Sequence, residues 1–116
     1  MQNQDYKSCI EACLKCASLC NYCASSCLQE DDVKMMVPRI ELDMECAVLC
    51  YAAVQIMNIH GESVKQLCKL CAEICTLCAE ECAQHDYKHC KECAAACLHC
   101  AEECRAITLM GFTENV

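Results

Sequence analysis

Residues 9–27 read Cys9-Ile10-Glu11-Ala12-Cys13-Leu14-Lys15-Cys16-Ala17-Ser18-Leu19-Cys20-Asn21-Tyr22-Cys23-Ala24-Ser25-Ser26-Cys27. The six cysteines are separated by four, three, four, three and four residues. Such an alternation averages about 3.5 residues per step, the heptad period, and places every cysteine at an a or d position on one face of an α-helix. The flanking e and g positions hold Ile10, Ala12, Ala17 and Leu19, whereas Glu11 and Lys15 fall outside the stripe. The segment predicts an amphipathic helix that carries sulfur along the midline of its buried face.

The same spacing recurs along the chain, in Cys46 and Cys50, then Cys68, Cys71, Cys75, Cys78 and Cys82, then Cys90, Cys93, Cys97, Cys100 and Cys104. All 14 intervals within the four runs are three or four residues, so every run is a helical seam. Breakers separate them. Gln29-Glu30-Asp31-Asp32 closes the first segment and offers Asp31 or Asp32 as an N-cap for the second; Asn58-Ile59-His60-Gly61 closes the second, with Gly61 as its stop and Ser63 as a cap for the third. Helices are expected over about 4–28, 32–58, 63–84 and 87–108, followed by a short tail from Leu109. Pro38 is discordant inside the second segment: either that helix begins near Val37, or it starts at Asp32 and kinks. Short connections favour antiparallel neighbours, so residues 1–116 are expected to form one all-α domain, an up-down-up-down four-helix bundle with a cysteine-lined core.

With 18 cysteines in 116 residues, composition would ordinarily suggest a secreted disulfide scaffold. The N-terminal residues have no basic stretch followed by an apolar one, and no run of about 18 apolar residues occurs, so neither a secretion signal nor a membrane span is expected. That reading points to a reducing cytoplasm. The formal net charge of −8 makes nucleic acid and anionic lipid poor partners.

The thiols need a chemical reason. Cysteine is a small hydrophobe that packs well singly, but leucine would fill so many a and d sites better, by a few kcal/mol per site on the large-to-small scale. Neighbours at i, i+3 or i, i+4 have Cβ atoms about 5–6 Å apart, too far for an unstrained disulfide, and stapling a hairpin needs far fewer cysteines. A thiol–disulfide buffer or relay is the alternative of a different class. Among metals, soft thiolates select Cu(I), zinc or iron–sulfur clusters. The loop spacings of iron–sulfur ligation are absent. Zinc held by four thiolates carries a charge of −2, and several such sites stacked in one core would repel, so a zinc or cadmium reservoir fits less well. Cu(I) accepts two or three thiolates, tolerates bridging, and exchanges one for one with a thiol proton, leaving the core neutral. Many equivalent soft ligands without an open position describe storage, not an enzyme.

The repeated Cys-x-x-Cys and Cys-x-x-x-Cys steps on four amphipathic segments, without any Cys-x-Cys pair, resemble the bacterial copper storage proteins, specifically their cytosolic branch. The resemblance covers about residues 5 to 107. It implies a bundle that is folded before metal arrives, binds many Cu(I) ions inside through all 18 cysteines, and assembles as a homotetramer, with copper donors or acceptors unidentified. Metallothioneins, the other thiol reservoir, lack helices and rely on Cys-x-Cys. The departure is on the second helix, where Arg39 and Asp43 take seam positions; an i, i+4 ion pair between them is the simple expectation.

Relatives in that family recruit copper at a bundle mouth with histidine or methionine, which assigns metal admission here to Met36, His85 and His89, near the loops at 28–33 and 84–87. Tyr6, Met57, His60 and Ile107 form a bulkier plug at the opposite end, and His99 points outward without a role. Leu14, Leu28, Val48, Tyr51, Leu70, Leu77 and Leu98 are also expected outside, and Leu70 and Leu77, one heptad apart, suit an interface between copies.

Overall fold

The structure, a computed structural model, describes the backbone of residues 2–114 and the side chains of residues 6–109. Among the described residues it holds four α-helices and no strand: α1 Gln2–Cys27, α2 Val37–Asn58, α3 Val64–Cys82 and α4 Lys88–Glu114, with a 3-10 turn, Val33–Met36, leading into α2. α1 packs on α2 and α4, and α3 packs on the same two, so consecutive helices are neighbours in space while α1 and α3 face each other across the core. This is the antiparallel four-helix bundle that the seams require.

Burial follows the heptad reading. All eighteen cysteines are buried free thiols. Alanines at the flanking positions, among them Ala12, Ala17, Ala47, Ala72, Ala79 and Ala101, are buried beside them. Small side chains at these positions let the helices approach closely, so the thiols of four helices meet on the bundle axis. Leu14, Leu28, Val48, Tyr51, Leu70, Leu77 and Leu98 are exposed. Arg105 of α4 donates from Nη2 to Thr76 Oγ1 of α3 at 2.7 Å, a polar tie outside the seam.

Several helix ends differ from the sequence reading. The second helix does not run unbroken from residue 32. Pro38 has no N–H and its ring would clash with the Lys34 carbonyl in a continuous α-helix, so the chain first makes the 3-10 turn, closed by the Met35 N–H on the Asp32 carbonyl at 2.9 Å. α2 then starts at Val37 with Pro38 in its first turn, where the missing N–H would have had no helical partner, so no kink is needed. Neither Asp31 nor Asp32 caps α2. Asp32 precedes the 3-10 turn without a side-chain cap bond, and its carboxylate accepts instead from the Tyr87 hydroxyl at 3.4 Å. Ser63 occupies the N-cap position of α3, but only its carbonyl is engaged, by the Leu67 N–H at 2.9 Å.

α2 does not stop on glycine. The left-handed residue is His60, at φ 54°. The His60 N–H reaches the Met57 carbonyl at 3.1 Å and the Gly61 N–H reaches the Ile56 carbonyl at 3.0 Å, which is a Schellman closure with a histidine at the position where glycine is usual. α3 ends at Cys82, earlier than residue 84, because the chain tightens there: the N–H groups of Gln84 and His85 reach back three residues to Glu81 and Cys82. α4 continues past residue 108 to Glu114 where a tail was expected. The Thr108 hydroxyl folds back onto the Cys104 and Arg105 carbonyls at 3.1 and 2.8 Å, which leaves the helix intact. Gly111 costs the helix only about 1 kcal/mol relative to alanine. Asn115 and Val116 lie outside the described residues.

Candidate metal-binding core

Sulfur atoms form a nearly continuous column. Cys46 and Cys75 approach to 3.4 Å. Cys97 lies 3.6 Å from both Cys16 and Cys20, Cys93 lies 3.6 Å from Cys20, and Cys100 lies 3.6 Å from Cys13. Toward the plugged end, Cys50 meets Cys71 at 3.7 Å and Cys9 meets Cys104 at 3.7 Å. These are non-bonded separations, set by which a and d positions face one another across the helices. A metal–thiolate bond of about 2.3 Å puts two sulfurs of a trigonal site about 4.0 Å apart, so the spacing already suits thiolates that share ions. Four-thiol groups with all sulfurs within 4.8 Å of one another overlap in membership: Cys16, Cys46, Cys50 and Cys75 share Cys16 and Cys46 with Cys16, Cys20, Cys46 and Cys97. Overlapping sets provide bridging positions, as a chain of ions needs.

The thiols also exchange hydrogen bonds, so they titrate as a set. Bonds from Cys16 push Cys46 down, and bonds from Cys104 push Cys100 down. Cys100 in turn pushes Cys50 and Cys104 up.

Arg39 and Asp43 are fully buried, at 0% exposure. They do not form the expected ion pair: among the described residues each is engaged with sulfur instead. Arg39 Nη1 donates to Cys27 Sγ at 3.1 Å and to Cys90 Sγ at 2.9 Å. The thiols of Cys78, Cys93 and Cys82 donate to Asp43 Oδ1 at 3.1, 3.4 and 3.7 Å. Four helices converge at this level, so each side chain meets thiols from α1, α3 or α4 before it can reach along its own helix. Among the described residues, Arg39 Nε and Nη2 and Asp43 Oδ2 have no hydrogen-bond partner. Burial, followed by the charges of Cys93 and Cys78, pushes the Asp43 carboxyl up to about 12, so it is a neutral acid at neutral pH. Burial alone disfavours the Arg39 charge, yet Cys90 and Cys27 outweigh it and hold the group above its ordinary value. The seam positions that look in sequence like an interruption of the column are therefore polar members of it.

The residues assigned to metal admission separate in space. His89 turns Nδ1 into the core, 3.3 Å from Cys23 Sγ and 3.6 Å from Cys90 Sγ. Its Nε2 lies 3.2 Å from Glu30 Oε2, and its ring stacks on Tyr87 with centroids 5.4 Å apart. Tyr87 is itself tied to Asp32. Glu30 and Tyr87 were not singled out in sequence, and Asp32 only as a cap for the second helix; the signal was available, since an up-down bundle brings the first loop beside the start of the fourth helix. His85 instead pairs with Glu81 on its own helix at 3.4 Å and does not reach sulfur. Met36, at the end of the 3-10 turn before α2, is completely buried. At the opposite end Met57 and Ile107 are buried and the rings of Tyr6 and His60 lie 5.7 Å apart. His99 is exposed, near Glu102.

Comparison with known proteins gives a consistent picture. The family profile described as copper storage protein matches residues 2–109. The Bacillus subtilis cysteine-rich protein YhjQ is 45% identical over 83 residues, covering 72% of this chain and 77% of that protein. Among solved structures, the chain resembles the Cu(I)-bound copper storage protein BsCsp3, with TM-score 0.86, 44% identity and coverage of 89% of this chain and 97% of that one. It also resembles a cytosolic copper storage protein from Streptomyces lividans caught during copper loading, with TM-score 0.89, 33% identity and coverage of 93% and 95%.

Proposed function

This chain belongs to the copper storage protein family and stores Cu(I), and we propose that its ligands are the 18 core cysteines, with His89 joining Cys23, Cys27 and Cys90 at the mouth. The observation that carries the ligand assignment is the sulfur column itself: buried free thiols, most of them 3.4–4.0 Å from a thiol on a neighbouring helix, with overlapping sets of four. Each Cu(I) that replaces a thiol proton leaves the local charge unchanged, so loading proceeds without burying net charge. The family resemblance implies a bundle folded before metal arrives, so helix packing assembles the thiols and removes most of the ordering that ligand recruitment would otherwise require.

Copper passes the mouth formed by the Gln29–Asp32 loop and the start of α4. His89 spans that boundary, with its ring partly accessible outside and Nδ1 facing Cys23 and Cys90 within. His85, turned to Glu81, and Met36, buried at the end of the 3-10 turn, serve less directly. The protein works in the cytosol, as the Streptomyces lividans relative is described, and no described helix is long and apolar enough to cross a membrane. Closed thiolate coordination, with no position reserved for a substrate, supports storage and not catalysis. Exposed Leu70 and Leu77, one heptad apart on α3, support assembly of copies into the homotetramer that the family resemblance implies.

Stopped-flow loading tests the mouth. His89→Ala slows the uptake of chelator-delivered Cu(I) by about ten-fold or more, whereas His85→Ala leaves the rate within about two-fold of wild type, on the scale at which ligand and outer-shell changes act. Equal rates for the two variants would overturn the assignment of His89 to metal admission.

A further inference from the structure

Charge separates the mouth cluster from the rest of the column. Cys23 and Cys27 of α1 and His89 and Cys90 of α4 present three sulfurs and one nitrogen, all within 4.8 Å of one another. The distances are 4.0 Å for Cys23–Cys27 and 3.9 Å for Cys23–Cys90 between sulfurs, and 3.3 and 3.6 Å from His89 Nδ1 to Cys23 and Cys90. A tetrahedral site with metal–sulfur bonds of about 2.3 Å and a metal–nitrogen bond of about 2.0–2.1 Å places its ligand atoms roughly 3.5–3.8 Å apart. The four atoms therefore outline a Cys3His tetrahedron with little movement. The Nε2 side of His89 lies against the Glu30 carboxylate at 3.2 Å, which is the carboxylate–histidine–metal arrangement that fixes Nδ1 as the ligating nitrogen.

The second observation is Arg39, the one buried cation among the described residues. Its Nη1 sits 3.1 and 2.9 Å from two of the same three sulfurs, Cys27 and Cys90, while its Nε and Nη2 lack partners among the described residues. No carboxylate neutralises it, because Asp43 is bonded to other thiols. A one-for-one exchange of Cu(I) for protons leaves that guanidinium uncompensated. A divalent ion behaves differently: held by three thiolates and a neutral imidazole, an M(II)-Cys3His centre carries −1. Added to Arg39, the buried sum is zero.

We propose that the copper-free protein binds one zinc-like divalent cation at Cys23, Cys27, Cys90 and His89, with Arg39 as its counter-charge and Glu30 as the outer partner of His89. The site is distinct in kind from the all-thiol sets deeper in the column, such as Cys13, Cys71, Cys100 and Cys104, where a divalent ion would carry −2 with no cation beside it. A divalent ion here closes the mouth and is displaced when Cu(I), which binds thiolates more tightly, arrives. The proposal does not depend on copper storage, since the divalent ion is bound before copper is present.

The test uses the full chain, reduced and copper-free under anaerobic conditions, titrated with Co(II) as a spectroscopic stand-in and then with Zn(II). The expected result is saturation at about one Co(II) per chain with tetrahedral d–d bands of three-sulfur, one-nitrogen type, bleached by one equivalent of Zn(II). His89→Ala changes the band pattern, Arg39→Gln weakens Co(II) binding roughly 10- to 100-fold, and Cys71→Ser in the deeper column changes neither pattern nor affinity. Far-ultraviolet circular dichroism verifies that each variant is folded. Absence of tetrahedral Co(II), a four-sulfur spectrum insensitive to His89→Ala but lost in Cys71→Ser, or unchanged affinity in folded Arg39→Gln would each overturn the proposal. Cu(I) capacity, measured separately, decides the storage reading without affecting these outcomes.

Discussion

Asp43→Asn in the copper-free protein is the substitution whose effect can be worked from the structure most fully. Asp43 is completely buried and its carboxyl accepts from three thiols, with one oxygen unpartnered among the described residues. Its folded-state value is pushed up to about 12 from an ordinary 3.8, so between these limits the folded chain holds one proton that the unfolded chain has lost. A raised value stabilises fully below the unfolded one, and the stability drains away as pH rises toward the folded one. The slope is about 1.4 kcal/mol per pH unit for one proton. From about pH 5.5 to about pH 7.5, below the range where unfolded thiols ionise, Asp43 removes roughly 2.7 kcal/mol from the folding free energy. That corresponds to a fall of roughly 10–20 °C in Tm for a domain of this size. Asparagine has nearly the same shape and no proton to lose, so Asp43→Asn abolishes this part of the pH dependence. Urea unfolding followed by far-ultraviolet circular dichroism, anaerobically with reductant at both pH values, measures the difference. If the wild-type free energy is flat or rises over this range relative to Asp43→Asn, Asp43 is ionised in the core and the reasoning fails.

Other outcomes follow from the ends of the bundle. His60→Gly places glycine at the left-handed position that closes α2 and stabilises the chain by about 0.5–1 kcal/mol, net of the lost contact with Tyr6, as read by the urea midpoint; a destabilised variant would show that the ring contact outweighs the backbone strain. Met57→Ala, in the fully enclosed plug beyond the sulfur column, lowers stability by about 2–5 kcal/mol while leaving the copper-binding capacity unchanged. A loss of capacity in a folded Met57→Ala protein would place Met57 among the ligands.

The cysteine seams made the bundle legible because sulfur, alanine and charge repeat with one period over most of the chain. The alternation at Cys9–Cys27 fixes which face of α1 is buried, and the same logic applied to α3 and α4 leaves few ways to enclose the thiols. The start of α2 was harder to read. Proline is compatible both with a kinked helix from Asp32 and with a fresh start at Val37, and the choice depends on whether a 3-10 turn fits between them, a matter of packing against α1. The stop at His60 was hidden by Gly61 next to it, since either residue satisfies the pattern and only the backbone dihedral distinguishes them. Arg39 and Asp43 were visible as departures from the seam, but local spacing favours an i, i+4 pair. Their actual partners sit on the other helices, at distances in sequence of 12 to 51 residues. Glu30 and Tyr87 carry no local signal in sequence for the same reason: each is an ordinary loop residue until the fold brings it to His89.

Anaerobic Cu(I) titration against a competing chromophoric chelator, with thiols counted before and after, shows whether the core thiols are a ligand set for monovalent copper. The chain is expected to withhold more than about ten Cu(I) per monomer from the chelator, as bridged thiolates allow, and to yield all 18 thiols when copper is removed. A chain that leaves the chelator loaded after two or three equivalents, or that yields disulfides in place of bound metal, would contradict that assignment.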